Sequence, residues 1–280
     1  MGWHEFPLVI FTVLAQCAVG AFILLGALML TGRLEGASLR RLNRLMLIIW
    51  ILMGVAFAAS TLHLGSPLRA PNALLRLGGS WLSNEIFLGS LFFALGGLFW
   101  LLTLLDKASP LLRKILLSIA MLLGVAFMYA TIHVYMIPTV PTWNTSFTPL
   151  GFFLTSVMGG ALLAQLLLSL SGQGHRLLAQ LLPWLGALAI VVALGTSVTH
   201  AMSLAGIQSA IQSAIDLVPH YQSLLIIRLA LLATVLALWL FALRSMRHQP
   251  LVLCASFVLL LAAEMLGRNL FYNLHMTAGL

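Results

Sequence analysis

The sequence predicts an all-α integral membrane protein with eight transmembrane helices and both termini on the outer side. Of the 280 residues, 61% are hydrophobic and only 7% are charged, whereas soluble domains carry about 25% charged residues. Eight apolar runs approach the roughly 20 residues that a helix needs to cross a bilayer. These runs cover residues 7–30, 45–62, 86–105, 115–132, 150–170, 177–198, 224–243 and 251–270.

The first apolar run is expected to remain as a helix rather than to be removed as a signal peptide. The preceding segment MGWHEFP lacks a basic region, and LMLTGRLEG offers no convincing small-residue cleavage site. The spans and their short connections take up nearly all of the chain. We therefore predict a single membrane domain over residues 1–280.

Basic residues are concentrated in alternate connections, which predicts the orientation of the helices. Ten of the fourteen lie there: Arg33, Arg40, Arg41, Arg44, Lys107, Arg113, Lys114, Arg176, Arg244 and Arg247. Cytoplasmic loops of membrane proteins carry the excess of lysine and arginine. The pattern predicts short cytoplasmic connections, longer outer loops and an N-out, C-out topology. The net charge of +8 is thus explained by topology and does not indicate a nucleic-acid partner.

Two cysteines, Cys17 and Cys254, both fall within predicted spans. Two such thiols cannot provide a four-cysteine iron–sulfur site or a CxxC redox pair. We therefore expect no metal site and no iron–sulfur cluster on this chain.

Histidines end three of the predicted helices on the outer side. GVAFAASTLH ends at His63, GVAFMYATIH ends at His133, and a weaker copy ends at His200. This echo suggests a weak repeat of helix pairs. A cation at a helix C-terminus is favoured by the helix dipole, so each histidine alone also has a purely structural explanation.

The long loop after His63 favours a functional site over that structural explanation. The segment HLGSPLRAPNALLRLGGSWLSNEIF contains Arg69, Arg76 and Glu85 between two adjacent spans. It is longer than a minimal helix–helix turn, and positive charge is disfavoured in a short outer loop. We predict that His63 and Glu85 face one cavity roofed by residues 66–83.

A second set of polar residues lies in the last predicted helix. Glu264, Arg268, Tyr272 and His275 are spaced so that they share one helical stripe. Glu264 and Arg268 can form a self-neutralising ion pair, as buried ions in membranes normally do. Alternatively, the stripe lines the same cavity as His63; the sequence leaves both open, with a slight preference for the pair.

Several segments resemble the DmsC family, the membrane anchor subunits of dimethyl sulfoxide reductase. They are GWHEFPLVIFTVLAQC, LHLGSPLRAPNALLRLGGSWLSNEI, TVPTWN and AAEMLGRNLFYNLHM. The last departs from the family in lacking a glycine before Glu264. The resemblance implies a multi-pass protein of the bacterial inner membrane that anchors an iron–sulfur subunit and a molybdopterin catalytic subunit. It also implies oxidation of menaquinol in anaerobic respiration, with His63 and Glu85 at the quinol site.

The chemistry of quinol oxidation suits these residues. Two electrons and two protons must leave the quinol, and a histidine has a pKa near neutrality that suits a proton acceptor. We assign quinol binding to His63, Glu85, Arg69, Gly65 and Ser66, with Arg69 stabilising charge on the quinol oxygen. The chain alone would not reduce sulfoxide, and no haem is expected. A haem-bearing cytochrome b with axial histidines and a purely structural anchor are the alternatives.

Overall fold

The computed structural model describes residues 5–32, 34, 36–63, 67–172, 177–208, 213–244 and 249–277, and only the backbone of residues 63, 67–71 and 177–180. This part of the chain is built from α-helices joined by short connections. The helices are α1 (Phe6–Leu30), α2 (Gly36–Leu45), α3 (Leu47–His63), α4 (Trp81–Leu104), α5 (Pro110–Tyr135), α6 (Phe147–Leu170), α7 (Leu177–Leu204), α8 (Tyr221–Arg244) and α9 (Gln249–Asn273). Two 3₁₀ segments, Pro67–Arg76 and Ile215–Leu217, lie between helices.

The predicted number of spans is confirmed, because eight helices in the described part of the chain are long and apolar enough to cross a membrane. The helices extend beyond most of the predicted apolar runs, since hydropathy marks only the part of a helix that lies in lipid. For example, α5 begins at Pro110, where the Ser109 side chain accepts the backbone N–H of Leu112 at 3.2 Å. A serine cap followed by proline is a local signal that a hydropathy average does not include.

The second span differs from the prediction because a basic helix, α2, precedes its apolar part. Leu42 and Asn43 on α2 are buried, while Arg40, Arg41 and Arg44 are exposed. The Asn43 amide donates to the Trp100 carbonyl at 3.2 Å, and the Trp100 indole donates to the Asn43 carbonyl at 2.7 Å. These reciprocal hydrogen bonds hold α2 against α4.

The helices form two halves with the same packing pattern. In the first half, α1 packs on α3 and α5, and α4 packs on α5; in the second, α6 packs on α7 and α9, and α8 packs on α9. The packing pattern therefore repeats after four spans, and the repeat of helix pairs inferred from the histidines stays a prediction.

The two halves meet mainly through α1 and α6, which are the most buried spans. A Cβ atom on Gly160 would lie 2.7 Å from the Cα of Gly20. Small residues permit this approach of two backbones, as is common between transmembrane helices.

The two ends of the bundle differ in composition. We call one the basic end, because seven described basic residues lie there: Arg40, Arg41, Arg44, Lys107, Arg113, Lys114 and Arg244. The other, the cavity end, carries the first residues of α1, α4, α6 and α8 and the last residues of α3, α5, α7 and α9. As predicted, the connections at the cavity end are longer than those at the basic end.

Candidate functional site

A cavity of about 520 Å³ opens at the cavity end of the first half. Its wall is mostly apolar and comes from α1, α3, α4, α5, the segment after α5, and α9. Leu8, Phe11, Phe57, Leu82, Ile86, Val134, Ile137 and Trp143 provide the apolar surface. Glu5, Ser60, Thr61, Glu85, Ser90, Tyr135 and Tyr272 add polar groups. An apolar cavity of this size with a few polar groups is typical of a small-molecule site.

Glu85 lies in the cavity wall one turn into α4. Before it, the Asn84 side chain accepts the Gly78 backbone N–H at 2.8 Å, which folds the preceding loop onto the start of the helix. Glu85 is 4% exposed, and its Oε1 atom has no hydrogen-bond partner among the described residues. A buried carboxylate oxygen normally has a partner, so this atom has hydrogen-bonding capacity that the described residues do not use.

Glycine at position 89, one turn after Glu85, makes room for an aromatic wall. A Cβ atom there would lie 2.9 Å from the Phe127 ring and 3.2 Å from the Phe57 ring. Phe57 lines the cavity, and its ring also packs on Phe11 and Phe127 with centroids 6.1 and 6.3 Å away. Rings from α1, α3 and α5 therefore pack together beside this part of α4.

The structure brings the end of α3 to this cavity, because Ser60 and Thr61 lie in its wall. His63 is the last residue of α3, but its side chain lies outside the described part of the chain. Gly65 and Ser66 also lie outside the described residues, and Arg69 is described only in its backbone. The 3₁₀ segment that contains Arg69 contacts both α3 and α4, and the roof over the cavity stays a prediction.

Tyr272 reaches the same cavity from the second half. Its hydroxyl lies 2.8 Å from the Tyr135 hydroxyl and 3.4 Å from the Thr12 hydroxyl. Both tyrosines are buried and line the cavity. Of the four residues in the predicted stripe on the last helix, Tyr272 is the one that lies in the wall beside Glu85.

The predicted ion pair between Glu264 and Arg268 is wrong, because each residue binds a different partner. Glu264 instead accepts from Arg228 of α8 at 3.1 Å and from the Thr155 hydroxyl at 2.5 Å. Arg268 donates to Gln16 of α1 at 2.8 Å and lies 3.6 Å from the centre of the Phe152 ring. The i, i+4 spacing places Glu264 and Arg268 on one face, but better partners on neighbouring helices bind each of them.

These charged residues line a second cavity, of about 90 Å³, at the cavity end of the second half. Arg228 also donates to the Ser197 hydroxyl at 2.9 Å. The cluster thus connects α1, α6, α7, α8 and α9 through hydrogen bonds, and its position in the second half corresponds to that of the Glu85 cavity in the first.

Comparison with known proteins identifies the family. Residues 1–274 match the family model for the DMSO reductase anchor subunit (DmsC). The protein belongs to the DmsC family. Over its full length it is 50% identical to the C subunit of anaerobic dimethyl sulfoxide reductase from Escherichia coli (strain K12), covering 98% of that protein. It is 41% identical, with the same coverage, to the C subunit of the Haemophilus influenzae enzyme, and 46% identical to the YnfH subunit of E. coli. The resemblance inferred from the sequence is confirmed, and the protein is a multi-pass membrane anchor of a DMSO reductase complex.

Three further histidines of this DmsC-family anchor, His133, His200 and His275, do not line the Glu85 cavity. His133 packs against Trp81, with ring centroids 4.5 Å apart, and its Nδ1 lies 2.8 Å from the Tyr129 carbonyl oxygen. His200 stacks on Phe147 in the second cavity. His275 is exposed and packs against Trp143, with centroids 4.7 Å apart.

Sequence reasoning missed Arg228, Tyr135 and Gln16. Arg228 had a clear signal, since a single arginine inside the apolar run LLIIRLALL is costly in a membrane and marks a paired or functional group. Tyr135 and Gln16 had none, because their roles depend on which helices are neighbours.

Proposed function

We propose that this anchor oxidises menaquinol in the cavity beside Glu85 and passes the electrons to an iron–sulfur subunit. That subunit would supply a molybdopterin catalytic subunit that reduces the terminal acceptor. The observation that carries the proposal is the buried Glu85 carboxylate, which has an oxygen without a partner among the described residues, in the wall of an apolar cavity of about 520 Å³.

The cavity suits the chemistry of a quinol. The ring is flat and apolar, and aromatic and aliphatic side chains provide most of the wall. Each oxidation removes two protons and two electrons, leaving the quinone. His63 at the adjacent helix end is the candidate base for the proton of a quinol hydroxyl, and Glu85 can take that proton onward to the outer side. The Tyr135 and Tyr272 hydroxyls provide a second polar position in the wall.

The charge distribution supports an orientation for the reaction in the bacterial inner membrane. With the basic end in the cytoplasm, the Glu85 cavity and both termini lie at the outer side. Protons from the quinol would then leave on that side. Quinol oxidation needs a redox centre that accepts the electrons. No iron–sulfur cluster or haem is expected on this chain, so we assign the acceptor to the partner iron–sulfur subunit.

The test is to replace Glu85 by glutamine in the whole complex and measure two activities in the same membranes. Sulfoxide reduction driven by a menaquinol analogue should fall by about 100-fold or more, because glutamine keeps the shape but cannot accept a proton. Reduction driven by an artificial donor to the catalytic subunits should not change. His63→Ala is expected to have the same two effects.

A control variant, Asp216→Asn, removes an exposed carboxylate at the same end of the bundle. Asp216 lies in the short 3₁₀ segment between α7 and α8 and outside the cavity wall, so both activities should be unchanged. If Glu85→Gln and His63→Ala both assemble and oxidise the quinol analogue at the normal rate, the cavity is not the quinol site. Quinol oxidation would then take place elsewhere in the complex.

A further inference from the structure

A separate cavity of about 240 Å³ lies at the basic end, between α2, α4 and α5. Arg40 and Arg44 come from α2, Arg113 comes from α5, and Asp106 comes from the turn between α4 and α5. The cavity is at the opposite end of the bundle from Glu85. It therefore needs an explanation other than quinol oxidation.

The charges around this cavity do not balance. Asp106 accepts a hydrogen bond from Arg113, and this contact, followed by the charge of Arg40, lowers the pKa of Asp106 below its usual range. The carboxylate is therefore ionised at neutral pH and compensates one guanidinium. Among the described lining residues, three arginines face one acid, so a surplus of two positive charges remains.

Several polar atoms in the same wall have no protein partner. Asn43 is 1% exposed, and its Oδ1 atom has no hydrogen bond among the described residues; the same holds for the Thr103 hydroxyl and for Nε of Arg113. All three residues line the cavity. Buried polar atoms are normally satisfied by protein, water or a ligand, so these three lining side chains have hydrogen-bonding capacity that the described residues do not use.

The position of the cavity indicates the source of the missing anion. The last residue of α4 is Leu104 and the first of α5 is Pro110, so the cavity lies where the spans leave the hydrocarbon core. Lipid headgroups occupy this level of a bilayer. Arginine forms bidentate hydrogen bonds with phosphate oxygens, and basic pockets between transmembrane helices bind anionic headgroups.

We propose that the cavity formed by Arg40, Arg44, Asn43, Thr103, Asp106 and Arg113 binds the phosphate group of an anionic phospholipid. Asp106 positions Arg113 by its hydrogen bond, and the two arginines of α2 supply the remaining charge. The bound lipid connects the basic helix α2 to the turn between α4 and α5.

Topology alone would explain basic residues at this end, but it does not distinguish those in the cavity from those outside it. Arg41 is on the same helix as Arg40 and Arg44, and Lys107 follows Asp106 in the turn. Both are exposed and neither lines the cavity. They provide a control with the same change in net charge.

The test compares Arg40→Gln/Arg44→Gln with Arg41→Gln/Lys107→Gln in the purified complex. Native mass spectrometry would count phosphatidylglycerol molecules retained from a titration, with phosphatidylcholine, whose headgroup is zwitterionic and has no net charge, as the comparison. The cavity double variant should bind phosphatidylglycerol about 30-fold more weakly than the wild type, and the control double variant should lose much less. Each single cavity variant provides the same comparison if the double variant does not assemble.

A parallel titration adds a large excess of inorganic phosphate. Retention of phosphatidylglycerol in its presence supports a lipid site. Complete displacement by inorganic phosphate would assign the cavity to a free anion and overturn the proposal. Equal losses in the two double variants would also overturn it, because they would show that general surface charge attracts the lipid.

Discussion

At the scale of single residues, the two glutamates that are buried in the described part of the chain have different surroundings. Both Oε atoms of Glu264 accept hydrogen bonds, one from Arg228 and one from Thr155. Glu85 is equally buried but has an oxygen without a partner among the described residues and lies beside the larger cavity. A carboxylate whose bonds are all made inside the protein has a structural role, and one with an unused acceptor has capacity for a ligand.

We expect Arg228→Leu to reduce the amount of anchor in membranes. It leaves the Glu264 carboxylate without its ion-pair partner, and breaking a buried pair in this way costs about 3–5 kcal/mol. The double variant Arg228→Leu/Glu264→Leu should restore the amount, since it leaves neither charge behind. Immunoblotting of membrane fractions measures this.

Glu264→Leu/Arg268→Leu provides the comparison, because it leaves Arg228 unpaired. It should not restore assembly to the level of the first double variant. Suppose that Glu264→Leu/Arg268→Leu restores the amount of anchor in membranes and Arg228→Leu/Glu264→Leu does not. Glu264 is then paired with Arg268 in the membrane, contrary to the contacts described above.

The partner of Glu264 shows what a sequence can predict at this scale. Helical spacing correctly placed Glu264, Arg268 and Tyr272 on one side of α9. It could not decide between a partner four residues away and one 36 residues away on α8, since that depends on how α8 and α9 pack. Glu85, in contrast, was found from its local context, because an unusual loop and a carboxylate follow one another in the chain.

At the scale of helices, the packing of α1 on α6 depends on a few small residues. Gly20 and Gly160 allow the two backbones to touch, and Gly159 leaves space for the Cys17 side chain. The apolar runs predicted all eight spans, since each needs only its own hydropathy. The pairing of the first span with the fifth had no such local signal, as nearly every span contains glycine.

We expect Gly160→Ala to lower the midpoint of thermal unfolding of the detergent-solubilised complex. The added methyl group would collide with the backbone of Gly20, which cannot move as a side chain can, and overpacking of this kind costs about 1–3 kcal/mol. Gly151→Ala on the same helix is the control, because its Cβ would have no atom within 4 Å. Equal midpoints for the two variants would contradict the close approach of α1 and α6.

At the scale of the whole molecule, the two halves share one pattern but contain different cavities. The first half holds a large apolar cavity with the Glu85 carboxylate, and the second holds a small cavity with two arginines and the Glu264 carboxylate. The halves also contribute to each other's surroundings: Tyr272 of α9 reaches the first cavity, and Gln16 of α1 binds Arg268. The similar segments that end at His63 and His133 suggested a repeat of helix pairs. The four-span pattern could be recognised only from the packing of the helices.

We expect Tyr272→Phe to weaken binding of a quinol analogue by about fivefold to tenfold. The change removes one hydroxyl from the wall, and the net contribution of such a hydrogen bond is about 1 kcal/mol. Tyr129→Phe is the matched control, since Tyr129 is exposed and lies outside this cavity. Fluorescence titration of the analogue in membranes measures the affinity of both variants. An unchanged affinity for Tyr272→Phe would show that the Tyr272 hydroxyl of α9 does not contribute to the site.

The wall of the Glu85 cavity is also assembled from distant parts of the sequence. Residues near both ends of the chain meet there, with Leu8 and Phe11 on α1 and Tyr272 on α9. Between them lies Trp143, whose indole donates to the Phe271 carbonyl at 2.7 Å. If bacteria were grown on sulfoxide with an inhibitor that occupies this cavity, resistance substitutions should appear in several scattered segments of the gene. They would form one group only when placed on the folded protein.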